Sequence, residues 1–526
     1  MTSASVRRGH NPVTLRPLLK NILNNWVGLG ANLAVAFLMA PYTVHKLGQV
    51  QYGIWALVLQ LTGYMGVFDV GIRSALVRFV SRAVARDEDE ALSKTLSTTF
   101  VIYCLLALAV LAIGAAVLVF ALPLLQIPSE YANAARVTFV LGTITLALGF
   151  PFGMFQAALA GASRWDLNNG VAIFVLLLRT AIVLYLLNAG YGVVALAVTH
   201  LIISVVGWSA GAYLAKRTLV FHIRLRSATR SLLAPILDHS WNSMLISLAN
   251  RINYQIDTIV IGIFLPVQYV TIYVIGFELV RYFRELLNSA AQVMAPIVGG
   301  LDARDRSDDI GNIVLRCGKF ATLLGYFGAT VMIFIGPQFI GIWMGRQYVE
   351  SSGLVLQIIA FSLFGSAPAH MPSHSLFGLG KHRVNVWCTA VEAAINLSVS
   401  LFLVRRIGIY GVATGTLVAS FLVRGIIFPA VFFNIFAITR QDYLRRLLLP
   451  AVGPTAALAG ALYLCLRFVT VDSYPTLFGA VLYGTLVFGT VTWLLALDSA
   501  EKEKLRQQAR RMARSRDRRR ADEVST

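Results

Sequence analysis

Residues Asn250–Gly262 read NRINYQIDTIVIG. They lie inside an apolar run, 240–264, long enough to cross a membrane, yet they carry an arginine, a carboxylate, two asparagines and a glutamine. On a helix, Ser243, Ser247, Asn250, Tyr254 and Asp257 recur at steps of four and three, which puts them on one face. Arg251 stands on the shoulder of that face. The opposite face carries Leu245, Leu248, Ile252, Ile256, Ile259 and Ile263. The pattern is an amphipathic helix within a span. One face meets lipid or packed helices, and the other must meet water, a substrate or charged partners.

The rest of the chain sets the solvent. Hydrophobic residues make up 57% of the 526 and charged ones 13%, against about 25% charged in soluble domains; the mean hydropathy is +0.70. A water-soluble core cannot absorb this much apolar sequence. Runs of span length, roughly 17–25 residues, fall at 22–44, 52–72, 97–122, 136–158, 168–187, 192–214, 240–264, 269–297, 320–344, 352–377, 384–403, 409–433, 447–466 and 474–497. The expected fold is an all-α polytopic membrane protein with about 14 transmembrane helices.

A net charge of +20 suggests nucleic-acid binding until its placement is read. Of 45 Lys and Arg, 36 fall in segments on one side, with Arg281 and Arg284 counted at that end of the eighth span. Six lie opposite (Lys46, Arg136, Arg346, Arg405, Arg406 and Arg467), and Arg179, Arg251 and Arg424 lie within spans. This is the positive-inside pattern with both termini cytoplasmic. Nucleic acid is therefore not expected as a partner. No cleavable signal peptide is expected before the first span. Cys104, Cys317, Cys388 and Cys465 each lie in apolar runs, without metal-ligand or disulfide spacing.

No enzyme is expected. The sequence lacks GxxxxGK[ST] and HExxH motifs, and its outside loops are too short to fold as a catalytic domain. His370 and His374 stand four apart, but Pro372 lies between them and no further ligand is evident. Neither cofactor nor metal is expected; the energy must come from a gradient, from the substrate or from later trapping steps.

The chain repeats itself. VQY occurs at Val50–Tyr52 and at Val267–Tyr269. At the same offset Tyr131 matches Tyr348, Pro151 matches Pro368, Met154 matches Met371 and Gly161 matches Gly378. A shared offset over this length indicates an internal repeat. The organisation expected is a cytoplasmic N-terminus (1–20), a six-helix bundle (21–215), a basic linker (216–235), a second six-helix bundle (236–435), two extra helices (436–498) and a basic tail (499–526). Two pseudo-symmetric bundles of equal orientation place a substrate site in a central cavity between them.

The eighth span carries a second stripe, Glu278, Arg281, Glu285, Asn288 and Gln292, with Arg284 beside it. An ionised residue at a span centre costs about 2.5–3.5 kcal/mol on insertion scales, so two striped neighbours are expected to share one hydrated cavity. The first half has fewer such groups: Asn21, Asn25, Gly28 and Asn32 form a stripe, and Asp69 and Arg73 an i, i+4 pair. Structural pairing is the expectation for Arg179 and Arg424. Glu392 either lines the cavity or is a buried, protonated acid.

Leu47–Asp87, LGQVQYGIWALVLQLTGYMGVFDVGIRSALVRFVSRAVARD, resembles the second-helix region of the polysaccharide transporter family. That family contains the O-antigen and exopolysaccharide repeat-unit flippases, within the multidrug/oligosaccharidyl-lipid/polysaccharide exporter superfamily. The residues that carry it are Leu47-Gly48, Tyr52-Gly53-Ile54-Trp55, Asp69-Val70-Gly71 and the basic segment Arg73 to Arg82. The second half is similar at HSWNSMLISLANRINYQIDTIVIGIFL and at LFGLGKHR, and the resemblance spans most of 18–435.

The resemblance implies a V-shaped pair of bundles in a bacterial inner membrane. It implies alternating-access movement of undecaprenyl-diphosphate-linked oligosaccharide from the cytoplasmic to the outer leaflet, with a polysaccharide polymerase or other assembly protein as a further partner. Arg251, Arg281 and Arg73 are then candidates for the pyrophosphate, which guanidinium binds bidentately. Asn250, Tyr254, Asn25 and Asn32 suit sugar hydroxyls. Asp257, Glu278 and Glu285 either couple a proton or sodium ion or only orient the arginines, and Asp69 accompanies Arg73. The alternatives are a cation-coupled drug or small-metabolite exporter of the same fold, a lipid II-type flippase, and a non-transporting scaffold. Common family members have twelve helices, so the extra pair is either accessory or a groove for the polyprenyl tail. The tail from Glu501 to Arg520 either contacts anionic head groups or is solvated and only fixes topology.

Overall fold

The computed structural model describes residues 15–227, 229, 251, 255–504, 506 and 507, with side chains except at 15–29, 31–33, 68, 70, 225, 307 and 308. All regular structure among the described residues is helical. Among the described residues ten helices are long and apolar enough to cross a membrane: α3 (Asp89–Leu124), α4 (Ser129–Gly161), α5 (Trp165–Asn188), α6 (Val193–Thr218), α10 (Ser307–Trp343), α11 (Ser351–Gly378), α12 (His382–Ile407), α13 (Ile409–Phe436), α14 (Arg440–Phe468) and α15 (Tyr474–Ala496). In hydrocarbon every backbone N–H and C=O must be satisfied within its own segment, which the helix does. The chain is an all-α multi-pass membrane protein.

The other four predicted spans are those with the polar stripes, and the structure divides them differently. α1 (Leu15–Met65) takes in most of the first two. Its two straight stretches meet at Gly48, where φ is 75° and ψ 170°, a conformation open to glycine. Gly66 then ends α1 before α2 (Val67–Ala85), which holds Asp69 and the basic segment. Of the seventh span, α7 (Gln255–Phe264) is described. The eighth becomes α8 (Gln268–Ala291) and, after a turn, α9 (Met294–Asp302).

The helices gather into two compact units. The first comprises Met1–Arg251 with Leu265–Thr271, the second Ile252–Phe264 with Ile272–Thr526. In the first unit, Val267 N donates to Gln126 O at 3.1 Å and Thr271 Oγ1 to Gln49 O at 2.6 Å. Gly53 of the YGIW motif packs directly against the Val267 carbonyl, where an added Cβ would collide with backbone. α2 crosses α4 closely at Gly161, where a Cβ would lie 2.7 Å from Val80.

In the second unit, α12 and α13 approach through Gly411, packed on Leu403, and Gly415, packed on Ser400 and Asn396. Phe428, Phe432, Phe436 and Tyr443 form an aromatic core. The extra helices α14 and α15 pack on α10, with Leu458, Leu462 and Leu477 around Ile335. An ion pair fixes the chain beyond α15 to α10: Lys319 Nζ donates to Glu501 at 2.5 Å and to Ala496 O at 3.2 Å.

Candidate functional site

The first unit holds a cavity of roughly 390 Å³ lined by residues of α1, α2, α4 and α6 and by Arg251. Small residues open it. Gly142 lets α4 lie against Val58 and Thr62 of α1, and Gly149 lets it lie against Trp208 of α6. Asp69 lines the wall from the first turn of α2, where the helix dipole favours a carboxylate. Tyr103 OH donates to Asp69 Oδ1 at 2.7 Å. Half-buried Arg251 brings the one arginine among the lining residues, and Tyr64 OH donates to its backbone oxygen at 3.0 Å. Trp55 meets His200 edge-to-face at 6.2 Å. Cation, carboxylate, imidazole and two indoles thus share one concave space, the composition of a site for a polar ligand with extended flat faces.

Some of these groups escape a reading by motif. His200, Ser204 and Trp208 all line the cavity and recur every fourth residue along α6, so helical spacing alone marks them as a stripe. Tyr103 gives no such signal, because it is a lone tyrosine in an apolar run. Arg73 is exposed and is not among the lining residues; Asp69 takes a hydrogen bond from Tyr103 and feels the charge of Arg73 one turn on. The helical backbone of α1 includes Asn25 and Asn32, whose side chains are not described. Asn250 and Tyr254 lie outside the described residues.

The second unit buries the other half of the opening stretch. Asp257 is 2% exposed. It accepts from Tyr273 OH at 2.5 Å, Thr416 Oγ1 at 2.8 Å and Asn396 Nδ2 at 3.0 Å. Ser400 Oγ donates onward to Asn396 Oδ1 at 3.1 Å. The stripe reading gave Asp257 a hydrated surface; in this structure it faces protein oxygens and nitrogens from α8, α12 and α13.

On α8, Arg281 Nε donates to Glu278 at 2.9 Å, and its NH1 lies 3.9 Å from Glu285. The three charges form a partly exposed local cluster. Arg284 is buried, with NH2 on Ser362 Oγ at 2.5 Å. Arg424 has the structural pairing expected of it: it meets Glu392 at 2.7 Å, which makes Glu392 a buried, paired acid. Arg179 is half-buried and belongs to none of the ion pairs found among the described residues, so its expected pairing is not seen. His370 Nδ1 lies 2.9 Å from Ser366 O, and no metal-holding cluster occurs among the described residues.

The helices and the cavity define a membrane transporter fold, and solved structures agree. The lipid II flippase MurJ in its inward closed conformation superposes with a TM-score of 0.70 at 13% identity, covering 90% of this chain and 98% of that one. An inward-facing multidrug resistance MATE family transporter of the MOP superfamily gives 0.63 at 16% identity, covering 77% and 99%.

Residues 18–301 match the family described as polysaccharide biosynthesis protein, and the chain belongs to that family. It is 22% identical over 502 residues to the uncharacterized membrane protein EpsK of Bacillus subtilis (strain 168), covering 92% of this chain and 97% of that protein. To the probable flippase AglR of Haloferax volcanii it is 23% identical over 494 residues, covering 91% and 96%. To the putative O-antigen transporter of Shigella flexneri it is 20% identical over 419 residues, covering 75% and 93%.

Proposed function

We propose that the protein is a flippase for a lipid-linked oligosaccharide. It carries an undecaprenyl-diphosphate-linked repeat unit from the cytoplasmic to the outer leaflet of a bacterial inner membrane by alternating access, with both termini in the cytoplasm. The observation that carries the reading is the polar cavity of the first unit, which places Arg251, Asp69, His200 and two tryptophans within a membrane-spanning bundle. Its family and its relatives named as flippase and O-antigen transporter support the class of substrate.

The physical task explains the composition. A pyrophosphate and sugar hydroxyls cannot cross hydrocarbon unaided, because each buried polar group without a partner costs several kcal/mol. Arg251 offers a planar fork of donors to the pyrophosphate. The indoles of Trp55 and Trp208 offer flat apolar faces with a polar edge to sugar rings. Asn25, Asn32, Asn250 and Tyr254 supply hydroxyl partners, and Arg281 and Arg73 further positive charge. Asp257, with Glu278 and Glu285 on the neighbouring helix, takes up a coupling proton or sodium ion. A polysaccharide polymerase is the expected next partner.

The test is lipid analysis of a deletion strain by leaflet. A complete polyprenyl-linked repeat unit accumulating toward the cytoplasm, cleared by wild type and not by Arg251→Ala, supports the reading. An unchanged lipid pool with normal surface polymer, in a strain without a redundant paralogue, refutes it in favour of a small-molecule exporter.

A further inference from the structure

A second cavity, of about 550 Å³, opens in the second unit where the N-terminal ends of α10 and α14 meet the C-terminal end of α15. Arg316, Lys319, Arg445 and Arg446 line it, together with Asp498 and Glu501. The two acids are already engaged. Asp498 Oδ1 accepts from Glu501 N at 2.8 Å, and Glu501 Oε2 from Asp498 N at 3.1 Å, so the pair caps the helical turn after α15. Glu501 also accepts from Lys319 at 2.5 Å and lies 3.7 Å from Arg316. Lys319 is thereby neutralised at the floor. Arg445 and Arg446 remain exposed at the mouth, where Arg446 NH1 reaches Asn312 Oδ1 at 3.1 Å and lies 4.0 Å from Asp442.

Two more features mark the place. Arg445 and Arg446 sit on a widened helical turn, Tyr443–Leu448, with i to i+5 bonding; such turns frequently occur at functional positions. Leu495 lines the cavity and is 70% exposed, and Leu444, Leu449 and Leu494, each next in sequence to a lining residue, are exposed as well. Cations beside exposed leucines at the end of membrane-spanning helices describe the boundary between head groups and acyl chains. A free phosphate would use the cations and leave the leucines without a partner.

We propose that this cavity binds the phosphodiester head group of an anionic phospholipid, with Arg316, Arg445 and Arg446 on the phosphate and the exposed leucines on its acyl chains. Basic pockets between membrane helices bind anionic head groups by this chemistry. The site lies where the extra pair of helices packs on α10 and is independent of what the protein carries. It differs from a diffuse attraction of the basic tail, because it needs three arginines in one place. The tail is itself basic and does not suit a cationic mouth.

The experiment uses the purified full chain, with native mass spectrometry of bound lipid after exchange between phosphatidylcholine and phosphatidylglycerol. Inorganic phosphate at a concentration equal to the lipid is the soluble-anion arm. Wild type is expected to prefer phosphatidylglycerol, and the triple variant R316Q/R445Q/R446Q to lose at least about tenfold of that preference, given about fivefold per basic residue near the surface. Should the triple variant fail to fold, the exposed single substitution R445Q is measured instead, with an expected loss of about fivefold. Unchanged preference in a folded variant overturns the proposal. So does displacement of phosphatidylglycerol by an equal concentration of inorganic phosphate, which would make the cavity a plain anion site.

Discussion

Arg424 of α13 donates from Nε to Glu392 of α12 at 2.7 Å, and its other nitrogens reach Asn385 at 2.8 Å and Thr389 at 2.7 Å. Three of its donors are therefore matched within one turn or two of a single facing helix. The pair is buried, with side chains 10% and 6% exposed. Such a pair is strongly destabilising to break on one side and close to neutral to replace whole. Arg424→Gln or Glu392→Gln alone is expected to cost about 3–5 kcal/mol, and the double change to leucines to recover most of it. Thermal unfolding of the purified variants in detergent measures both; equal damage from the single and double changes would sink the pairing argument.

Asp257 leads to a graded expectation. Asp257→Ala leaves Tyr273, Thr416 and Asn396 without their acceptor, at about 1–3 kcal/mol for each donor that finds no other. Asp257→Asn keeps one acceptor oxygen but turns an amide toward the Asn396 amide. Tyr273→Phe removes one donor and leaves two. The expected order of thermal stability is wild type, Y273F, D257N, D257A. A D257A protein as stable as Y273F would mean that the cluster is loosely held.

Two glycines of α4 separate packing from propensity. Gly161 lies at the crossing with α2, where a Cβ would stand 2.7 Å from Val80 and 2.9 Å from the Val77 carbonyl. Gly161→Ala is expected to destabilise by about 1–3 kcal/mol, because backbone cannot yield to it. At Gly153 nothing lies within 4 Å of an added Cβ, so Gly153→Ala is expected to stabilise by up to about 1 kcal/mol through helix propensity. Opposite signs in paired melting curves are the result to look for; a drop in both would point to helix bending as the need for glycine.

The ten strongly apolar helices were legible because lipid leaves a chain few choices. Hydrophobic run length is then nearly the fold. The striped spans were legible as unusual, but the break at Gly48 depends on a positive-φ glycine conformation that an apolar-run count does not weigh, and the one at Gly66 leaves no mark on hydropathy either. The opening stretch shows the limit most clearly. Periodicity put Asp257 on the polar face of one helix and Arg251 on its shoulder, yet their surroundings differ: a cavity wall for the arginine and a closed set of hydrogen bonds for the aspartate. Period tells which residues share a face, not what long-range neighbours cover it. Asn396 and Thr416 are 139 and 159 residues from Asp257, and no local pattern joins them.

Arg251 carries the last expectation. If it holds the pyrophosphate, charge alone is not enough, because a guanidinium binds two oxygens in one plane and an ammonium does not. Arg251→Lys should then transport more slowly than wild type, and Arg251→Ala more slowly still. A lost charge-assisted hydrogen bond is worth about 1.5–3 kcal/mol, or roughly ten- to a hundredfold in rate for the alanine change. The measurement is translocation of a lipid-linked oligosaccharide in proteoliposomes, with thermal stability followed in parallel. Equal losses of rate and stability would make Arg251 a packing residue. A loss of rate at constant stability, smaller for lysine than for alanine, would place it on the substrate.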